Sequence, residues 1–355
     1  MMLDHFWYVV CASSELGKKP LGIEWMERRI VLFRDAKGQA HALDDLCPHR
    51  QVQLSRGTVR SGCLECPYHG WQFNGNGECV LVPSLAEGGK IPPKSQVTTY
   101  PVLEQQGYIW LWPGQGKPDD SPFSLPYIDD RKWSSYRFQR DLNCSVESAV
   151  ENFIDCTHTG YIHAGWFRAP ASHPATAQIS LWDRHLEIDI QEAEKTESFF
   201  SKMLVNNNQS VKHIDSFFLP SITQVSYQFS PNRHFVGVQL CTPLAPYKTR
   251  VFVYVTWTYG WLTHILRWFV PLFAKRVLEQ DVWILENQAE QLQRTQDMFV
   301  SVPVDAGNNM IMNLRRRAER GELYPPGDSP QQEPSQLEEN PQTEKRQDKQ
   351  VSFRL

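Results

Sequence analysis

Two short segments of the sequence each place a cysteine close to a histidine. Cys47 and His49 lie in C-P-H-R, and Cys66 and His69 lie in C-P-Y-H-G-W. Zinc fingers usually take two cysteines from one loop and two histidines from a helix, whereas here each segment is mixed. Mixed pairs suit a [2Fe-2S] cluster in which the two cysteines bind one iron and the two histidines bind the other. A zinc knuckle is the alternative, and it predicts a colourless protein.

Both segments also contain residues that suit a tight metal-binding loop. Pro48 and Pro67 would stiffen the loops, and Gly70 would let the backbone approach a cluster closely. With these features the chain resembles Rieske proteins. Respiratory members of that group carry an additional cysteine in each loop, and here Val52 and Tyr68 stand in those places. The resemblance therefore implies few hydrogen bonds to the bridging sulfurs and a reduction potential near the low end of the Rieske range, on the order of −150 mV.

A second segment, E-N-F-I-D-C-T-H-T-G-Y-I-H, carries residues that could bind another metal. On a helix, Glu151, Asp155 and His158 would share one face. Gly160 would end that helix, so that His163 could fold back toward His158. Two converging histidines beside a carboxylate indicate a metal site, because a carboxylate commonly fixes the tautomer of a metal-bound histidine. The pattern resembles that of Rieske non-haem iron oxygenases, in which the two histidines bind a mononuclear Fe(II).

Such an iron site needs a carboxylate as its third protein ligand, with positions left open for O2. Asp281 lies in the apolar stripe of a helix predicted over residues 272 to 295, where a carboxylate must be paired or bind a cation. Glu279 and Glu286 lie on the charged face, where solvation explains them. Asp281 is therefore the predicted third ligand, with an ordinary buried ion pair as the alternative. The late Asp-bearing helix of the same family has a similar sequence.

The pattern of apolar residues predicts an α+β protein with two domains. Residues 1–115 are rich in short strand patterns and turn signals, which predict an all-β domain that presents the cluster loops. Residues 116–324 begin with a segment rich in Gly, Pro and Asp, continue with a helix near 144 to 158, and then alternate apolar with polar residues. They predict a catalytic domain in which helices flank an antiparallel sheet. Residues 325–355 are almost free of apolar side chains and predict a disordered tail.

Large apolar residues recur at helical spacing between Trp261 and Phe273, and Pro271 interrupts the pattern. We expect a helix that packs on the sheet, in preference to a helix that lies in a membrane interface, and the wall of a substrate channel is compatible with either. His264, Arg267 and Pro271 exclude a transmembrane span. Peripheral membrane contact is therefore possible but not favoured.

Composition excludes several other functions. The 355 residues carry a net charge of −4 and no basic run, so we do not expect nucleic-acid binding. The amino terminus lacks a basic region followed by an apolar one, which predicts a cytoplasmic protein. Gly75-Asn76-Gly77 lies in a hairpin pattern without a following helix, so NAD(P)H is not expected to bind directly.

The resemblance implies the terminal oxygenase of a multicomponent system, and the short chain suggests a homotrimer. Electrons from NAD(P)H would arrive through a separate ferredoxin, flavin reductase or both. By the family's route they would pass from His69 of one subunit through Asp155, the catalytic residue that gates the transfer, to His158 of its neighbour. Hydroxylation or demethylation of an aromatic or apolar small molecule is the preferred reaction. The alternatives are a ring cis-dihydroxylating dioxygenase and a non-catalytic electron carrier or redox sensor.

Overall fold

A computed structural model gives the fold and describes residues 3–114, 116–118, 120–164, 174–192, 211–295, 299–323 and 346–354. The chain forms two compact units. The first contains residues up to Phe123 together with the short segment Thr242–Ala245, and the second contains the remaining residues from Ser124 onward. The predicted domain boundaries at residues 115 and 324 place Thr242–Ala245 in the second domain, whereas the structure places this segment in the first unit.

The first unit consists of three small antiparallel sheets. The strand orders are β1-β11-β10, β2-β3-β4-β9 and β5-β6-β7-β8. The strands are β1 Tyr8–Ala12, β2 Leu21–Trp25, β3 Arg28–Arg34, β4 Ala40–Asp44, β5 Thr58–Arg60, β6 Cys63–Glu65, β7 Gln72–Phe73, β8 Cys79–Leu81, β9 Thr99–Tyr100, β10 Val102–Gln105 and β11 Tyr108–Leu111, with a 3-10 turn at Leu54–Arg56.

Aromatic and β-branched residues form the core of this unit, as expected for short strands that are buried on one or both faces. Trp25, Ile30, Phe33 and Trp110 are almost completely inaccessible to solvent. The segment between β7 and β8 turns at Gly77, which has a φ of 75°. A Cβ atom there would lie 2.0 Å from the carbonyl oxygen of Val97, so only glycine fits this turn.

The second unit is built on one eight-stranded antiparallel sheet in the order β12-β18-β17-β16-β15-β14-β13-β19. The strands are β12 Ser134–Leu142, β13 Pro174–Leu181, β14 His185–Glu192, β15 Lys212–Phe218, β16 Ile222–Ser230, β17 Arg233–Ala245, β18 Lys248–Tyr259 and β19 Gln347–Arg354. The helices are α1 Val146–Ile154, α2 Thr263–Leu266, α3 Val270–Thr295 and α4 Ala306–Glu319, with 3-10 turns at His158–Gly160 and Pro303–Asp305. The predicted α+β class, with an antiparallel sheet flanked by helices, is confirmed.

Helix α3 packs along the sheet through one apolar stripe. Leu278, Val282 and Leu285 are buried in the same cluster as Val251 and Trp257 of β18. Each side chain of this size stabilises the fold by about 2 kcal/mol when it is fully buried. Burial of that stripe fixes the rotation of α3 about its axis, and therefore the direction of every other side chain on the helix.

The prediction of a disordered tail is wrong for the end of the chain. Gln347–Arg354 forms β19, the edge strand of the sheet, and pairs in antiparallel register with β13. Val351 is buried and Phe353 packs against the same apolar cluster. These two residues alternate with polar ones, so a single strand face can cover the core. Residues 324–345, which make up most of the predicted tail, lie outside the described residues.

The apolar segment from Trp261 to Phe273 differs from its prediction in two respects. It forms the short helix α2 and the first turn of α3, and Pro271 lies in that first turn, where proline is well tolerated. Leu262 and Leu266 pack on the core as expected. The prediction of a helix packed on the sheet is wrong for most of the large side chains of the segment, which are exposed to solvent: Trp261, Ile265, Trp268, Phe269 and Leu272.

Candidate functional site: two metal centres

The two loops that carry the Cys-His pairs have the same backbone structure. The first follows β4, and the second connects β6 to β7. In the first loop, Cys47 N–H donates to Val52 O at 2.9 Å, and Gln51 N–H donates to Cys47 O at 2.8 Å.

The second loop repeats both bonds at the same spacing. Cys66 N–H donates to Trp71 O at 2.8 Å, and Gly70 N–H donates to Cys66 O at 3.1 Å. Gln51 and Gly70, at equivalent positions, both have a positive φ, of 58° and 69°. The two loops are therefore duplicates that each present one thiol and one imidazole.

The four predicted cluster ligands lie together in like pairs. Cys47 and Cys66 are both buried, and burial together with the neighbouring Cys66 raises the pKa of the Cys47 thiol to about 11. The imidazole centroids of His49 and His69 are 4.5 Å apart. Two buried thiols ionise only beside a cation, so a metal is the natural partner of this pair.

The surroundings of His49 fit a metal ligand. Its Nδ1 is buried and has no hydrogen-bond partner among the described residues. Its ring stacks on Trp71 at 4.7 Å with an interplanar angle of 6°, which fixes its orientation. A buried, oriented nitrogen without a partner is costly unless it coordinates a metal. The residues present therefore fit a [2Fe-2S] cluster bound by two thiolates and two imidazoles.

The second predicted set, His158, His163 and Asp281, also converges. The candidate ligand atoms of these three residues all lie within 4.8 Å of one another. Asp281 Oδ1 is 3.5 Å from His158 Nε2 and 3.0 Å from His163 Nε2. His163 and Asp281 are buried, and His158 is largely buried.

The geometry within this trio fits ligands of one ion. Asp281 Oδ1 is buried, and a ring nitrogen of each histidine lies close to it. Two imidazoles and one carboxylate form the facial triad of non-haem Fe(II) sites. The residues present therefore fit a mononuclear iron.

Local structure explains how His158 reaches the site. Helix α1 is shorter than predicted and ends at Ile154, and Asp155 serves as its C-cap. Asp155 Oδ1 accepts hydrogen bonds from Thr157 N–H at 2.7 Å and Thr157 Oγ1–H at 2.6 Å. This turn starts the 3-10 segment that carries His158, whose Nδ1 lies 3.6 Å from Asp155 Oδ2. Asp155 and His158 thus meet through a turn, not along one helix face.

The other histidine is held by a residue that the sequence did not single out. Gln280 Oε1 lies 3.0 Å from His163 Nδ1, a distance that fits a hydrogen bond from the ring N–H. Such a bond would leave Nε2, which faces Asp281, available as the metal ligand. Gln280 is the neighbour of Asp281 on α3, so one helix supplies both a ligand and an orienting group.

The electrostatics of the trio favour a positive charge at its centre. Burial lowers the pKa of His158, but the carboxylates of Asp155 and Asp281 outweigh this effect and raise the pKa to about 9. Burial would raise the pKa of Asp281, yet the two imidazoles hold it below its usual value. The site therefore stabilises a cation between the three side chains, either a proton or a metal ion.

The trio opens into a cavity between α3 and the sheet. The cavity contains about 820 Å³ of space between protein atoms, including its open mouth. Its walls are mainly apolar and aromatic, with contributions from Phe153, Val225, Tyr227, Phe235, Val253, Val255, Phe273, Val277 and Leu278. A mainly apolar lining with a few polar groups is typical of a site for a small molecule.

One polar pair lies in the cavity wall and was missed from the sequence. His213 Nε2 and Asp215 Oδ1 are 2.9 Å apart, and both side chains are buried. They are two residues apart on strand β15, so both side chains lie on the same face of the strand, which lines the cavity. The H-x-D spacing within K-H-I-D-S-F-F was the available signal, but it does not reveal which strand face is buried.

Comparison with known families agrees with this geometry. Residues 6–101 match the family described as the Rieske [2Fe-2S] domain. Residues 142–320, just over half of the chain, match the vanillate O-demethylase oxygenase C-terminal domain. The chain belongs to the Rieske oxygenases. A Rieske oxygenase carries a [2Fe-2S] cluster and a mononuclear iron, in agreement with the two sets of side chains described above.

Individual relatives of this Rieske oxygenase include a plant and a bacterial protein. It is 28% identical over 312 residues to the chloroplastic protein TIC 55 of Arabidopsis thaliana, an alignment that covers 83% of this chain and 56% of the relative. It is 35% identical over 181 residues to the oxygenase component of dicamba O-demethylase from Stenotrophomonas maltophilia, which covers 50% of each protein. The chain spans about half the length of the curated relatives it matches.

A solved structure supports the fold assignment. The crystal structure of dicamba monooxygenase bound to dicamba superposes with a TM-score of 0.77, at 21% sequence identity, and covers 90% of this chain and 98% of the other. At this level of identity the likeness establishes a shared fold. No helix among the described residues of the Rieske oxygenase is both long enough and apolar enough to cross a membrane.

Proposed function

We propose that this chain is a terminal oxygenase component that hydroxylates or oxidatively demethylates an apolar, aromatic small molecule. The observation that carries the proposal is the trio of His158, His163 and Asp281, which opens into a mainly apolar cavity. An iron site that borders such a cavity can act only on a molecule that the cavity accepts. Relatives named as demethylases and monooxygenases favour this reaction over cis-dihydroxylation.

The residues of the trio would hold the mononuclear iron, which supplies the chemistry of dioxygen activation when it is bound. Gln280 orients the His163 ring through its Nδ1 atom, and the Asp155 carboxylate attracts the Nδ1 side of the His158 ring from 3.6 Å without a hydrogen bond. Oriented rings present Nε2 to the metal and resist rotation as substrate enters. Asp281 contributes the negative charge of the set and leaves the remaining coordination positions open.

The cavity would bind the substrate mainly by burial of apolar surface. Aromatic walls such as Phe153, Tyr227 and Phe235 exclude water and favour a flat ring system. The buried pair of His213 and Asp215 can hydrogen-bond a single polar substituent, and so would fix which end of the molecule faces the metal. The proposed substrate is therefore a ring compound with one hydroxyl, carbonyl or carboxylate group.

Electrons would reach the chain through the cluster held by Cys47, His49, Cys66 and His69. The sequence contains no nucleotide-binding motif, which supports a separate ferredoxin or flavin reductase that uses NAD(P)H. We also propose a homotrimer, in which His69 of one subunit would approach Asp155 of its neighbour and so connect to His158. The expected cytoplasmic location belongs to the same proposal.

A single-turnover experiment tests this function. The chemically reduced protein is mixed with isotopically labelled O2 and a panel of aromatic ethers, amines and polycyclic compounds, and the products are analysed by mass spectrometry. Monooxygenation predicts that one labelled oxygen atom enters the hydroxylated product or the released aldehyde. Iron analysis in parallel should find mononuclear iron in addition to cluster iron. Cluster iron alone, with no product from any compound, would support the electron-carrier alternative and contradict the proposal.

A further inference from the structure

Five large apolar side chains are exposed to solvent in the segment from just before α2 to the first turn of α3. We refer to Trp261, Ile265, Trp268, Phe269 and Leu272 as the aromatic face. Their exposed fractions are 80%, 48%, 67%, 64% and 69%. Single exposed apolar residues are common, but five within twelve positions of one segment form a contiguous group that normally indicates a binding surface.

The segment beneath this face is firmly attached to the core. Trp257 Nε1 donates a hydrogen bond to Thr263 O at 3.0 Å, and Tyr259 N–H donates to Thr263 Oγ1 at 2.7 Å. Leu262 and Leu266 pack into the apolar cluster on the opposite side of the segment. The inward side chains thus fix the backbone, and the aromatic face cannot turn inward without breaking these contacts.

The acidic and basic side chains of the segment that carries the aromatic face all have one sign. Residues 260 to 278 contain no aspartate or glutamate, whereas Arg267, Lys275 and Arg276 are all exposed. The Arg267 guanidinium lies 5.0 Å from the centre of the Trp268 ring. The first carboxylate after the segment, Glu279, is paired with Arg140 at 2.9 Å. The occupant of this surface must therefore accept apolar side chains and also carry negative charge.

We propose that the aromatic face docks on a lipid bilayer that contains anionic lipids. Tryptophan and phenylalanine beside arginine and lysine are the composition of helices that lie in a membrane interface, where the rings enter the headgroup region and the cations contact lipid phosphates. A second copy of this chain is the competing occupant. In an isologous dimer, the cations of the two copies would face one another without compensation. In the heterologous interface of a trimer the face would meet a different surface of the next copy, and the sedimentation experiment below detects this outcome.

Docking in this orientation would bring the catalytic cavity close to lipid, a step that rests on the proposed function. Leu272 belongs to the aromatic face, and the next residue, Phe273, lines the cavity, as does Val277 one turn later. An apolar substrate that partitions into the bilayer would then need to cross only the width of α3. The docking itself does not depend on catalysis and can be measured separately.

Vesicle flotation with the full chain tests the docking. One set of vesicles contains only phosphatidylcholine, and the other also contains phosphatidylglycerol. We expect binding to the second set, with a loss of at least about tenfold in affinity for Trp268→Ser/Phe269→Ser, because two apolar anchors are removed. Arg276→Gln should weaken binding to the anionic vesicles by about fivefold and leave binding to the neutral ones unchanged. Phe299→Ser is the matched control, since Phe299 is 59% exposed and lies beyond the end of α3.

Sedimentation without vesicles distinguishes the second-copy alternative, and visible absorption of the cluster checks that each variant is folded. The proposal predicts the same mass for the wild type and the double variant. Failure of the wild type to float with either kind of vesicle would overturn the proposal, as would equal loss of binding in the Phe299→Ser control. A lower mass for the double variant would assign the face to contact between copies instead. None of these results depends on turnover, so they remain distinct from a failure of the proposed function.

Discussion

The substitution Asp155→Asn separates two roles that the geometry gives to one carboxylate. Asp155 Oδ1 accepts two hydrogen bonds from Thr157, which build the turn before His158. Asp155 Oδ2 accepts a longer hydrogen bond from His158 N–H at 3.3 Å, and it lies 3.6 Å from His158 Nδ1, so it faces the imidazole with negative charge. Asparagine keeps the oxygen that accepts from Thr157, but it replaces the charged oxygen by a neutral NH2 group, which can only donate.

The expected magnitudes follow from these contacts. Each hydrogen bond from Thr157 contributes about 1 kcal/mol, so Asp155→Ala, which also loses the longer bond from His158 N–H, should lower the free energy of unfolding by about 2 kcal/mol or more. Asp155→Asn loses only the longer bond and should lower it by less than about 1 kcal/mol. Loss of the group that orients a metal-bound histidine typically costs about 10- to 100-fold in metal affinity or activity. Since His158, His163 and Asp281 are unchanged, we expect both metals to remain bound and turnover to fall by about 100-fold or more.

The assay combines single turnover of the reduced protein with iron analysis and visible absorption of the cluster. Glu151→Gln is the control, because it removes a nearby carboxylate from the same helix that contacts neither histidine. Turnover of Asp155→Asn within about threefold of the wild type, at full iron content, would refute the reasoning. Loss of mononuclear iron in proportion to the lost turnover would mean that Asp155 serves only to hold the metal ligand.

Three further predictions follow from the same structure. Asp281→Asn should lower mononuclear iron affinity by about 100-fold or more while Glu279→Gln retains it, and equal iron content in the two variants by metal analysis would contradict the ligand assignment. Asp215→Asn should raise KM about tenfold with little change in kcat, if the His213–Asp215 pair binds a polar group of the substrate, whereas a fall in kcat alone would argue against that role. Burial lowers the pKa of His185 from 6.5 to about 4, so the folded state binds fewer protons than the unfolded state between these values. This contribution to stability, at most about 3 kcal/mol, is complete above pH 6.5 and is lost as the pH falls toward 4. His185→Gln should therefore reduce the difference between the unfolding free energies measured with urea at pH 7 and at pH 5. An unchanged difference would show that His185 does not cause the loss of stability at low pH.

Much of the candidate site could be predicted because its ligands are close in sequence. Cys47 and His49 are separated by one residue, and His158 and His163 by four, so a tight turn is enough to bring each pair together. Asp281 could likewise be predicted as a ligand, because it is a carboxylate within an apolar stripe and a buried carboxylate requires a partner. The class of fold followed from strand alternation and one long amphipathic helix.

Other features could not be read from local patterns. Residues 144 to 158 have the apolar period of one helix, yet the side chain of Asp155 bonds to Thr157 and ends the helix early. The end of the chain looked too polar to fold, but an edge strand needs only one apolar face, and Val351 and Phe353 supply it. In both places a side-chain bond or a pairing partner outweighed the preference of the segment.

The sequence by itself determined which residues can bind the two metals, because thiolate, imidazole and carboxylate chemistry is a property of residue type and short spacing. Only the tertiary structure decided that His163 meets Asp281, with Gln280 behind it, since these residues are far apart in the chain and the burial of one face of α3 sets their approach. The same burial decided which apolar residues line the cavity and which form the aromatic face. Large apolar residues lie on both sides of α3 near its start, and only packing against the sheet buries one side and leaves the other exposed.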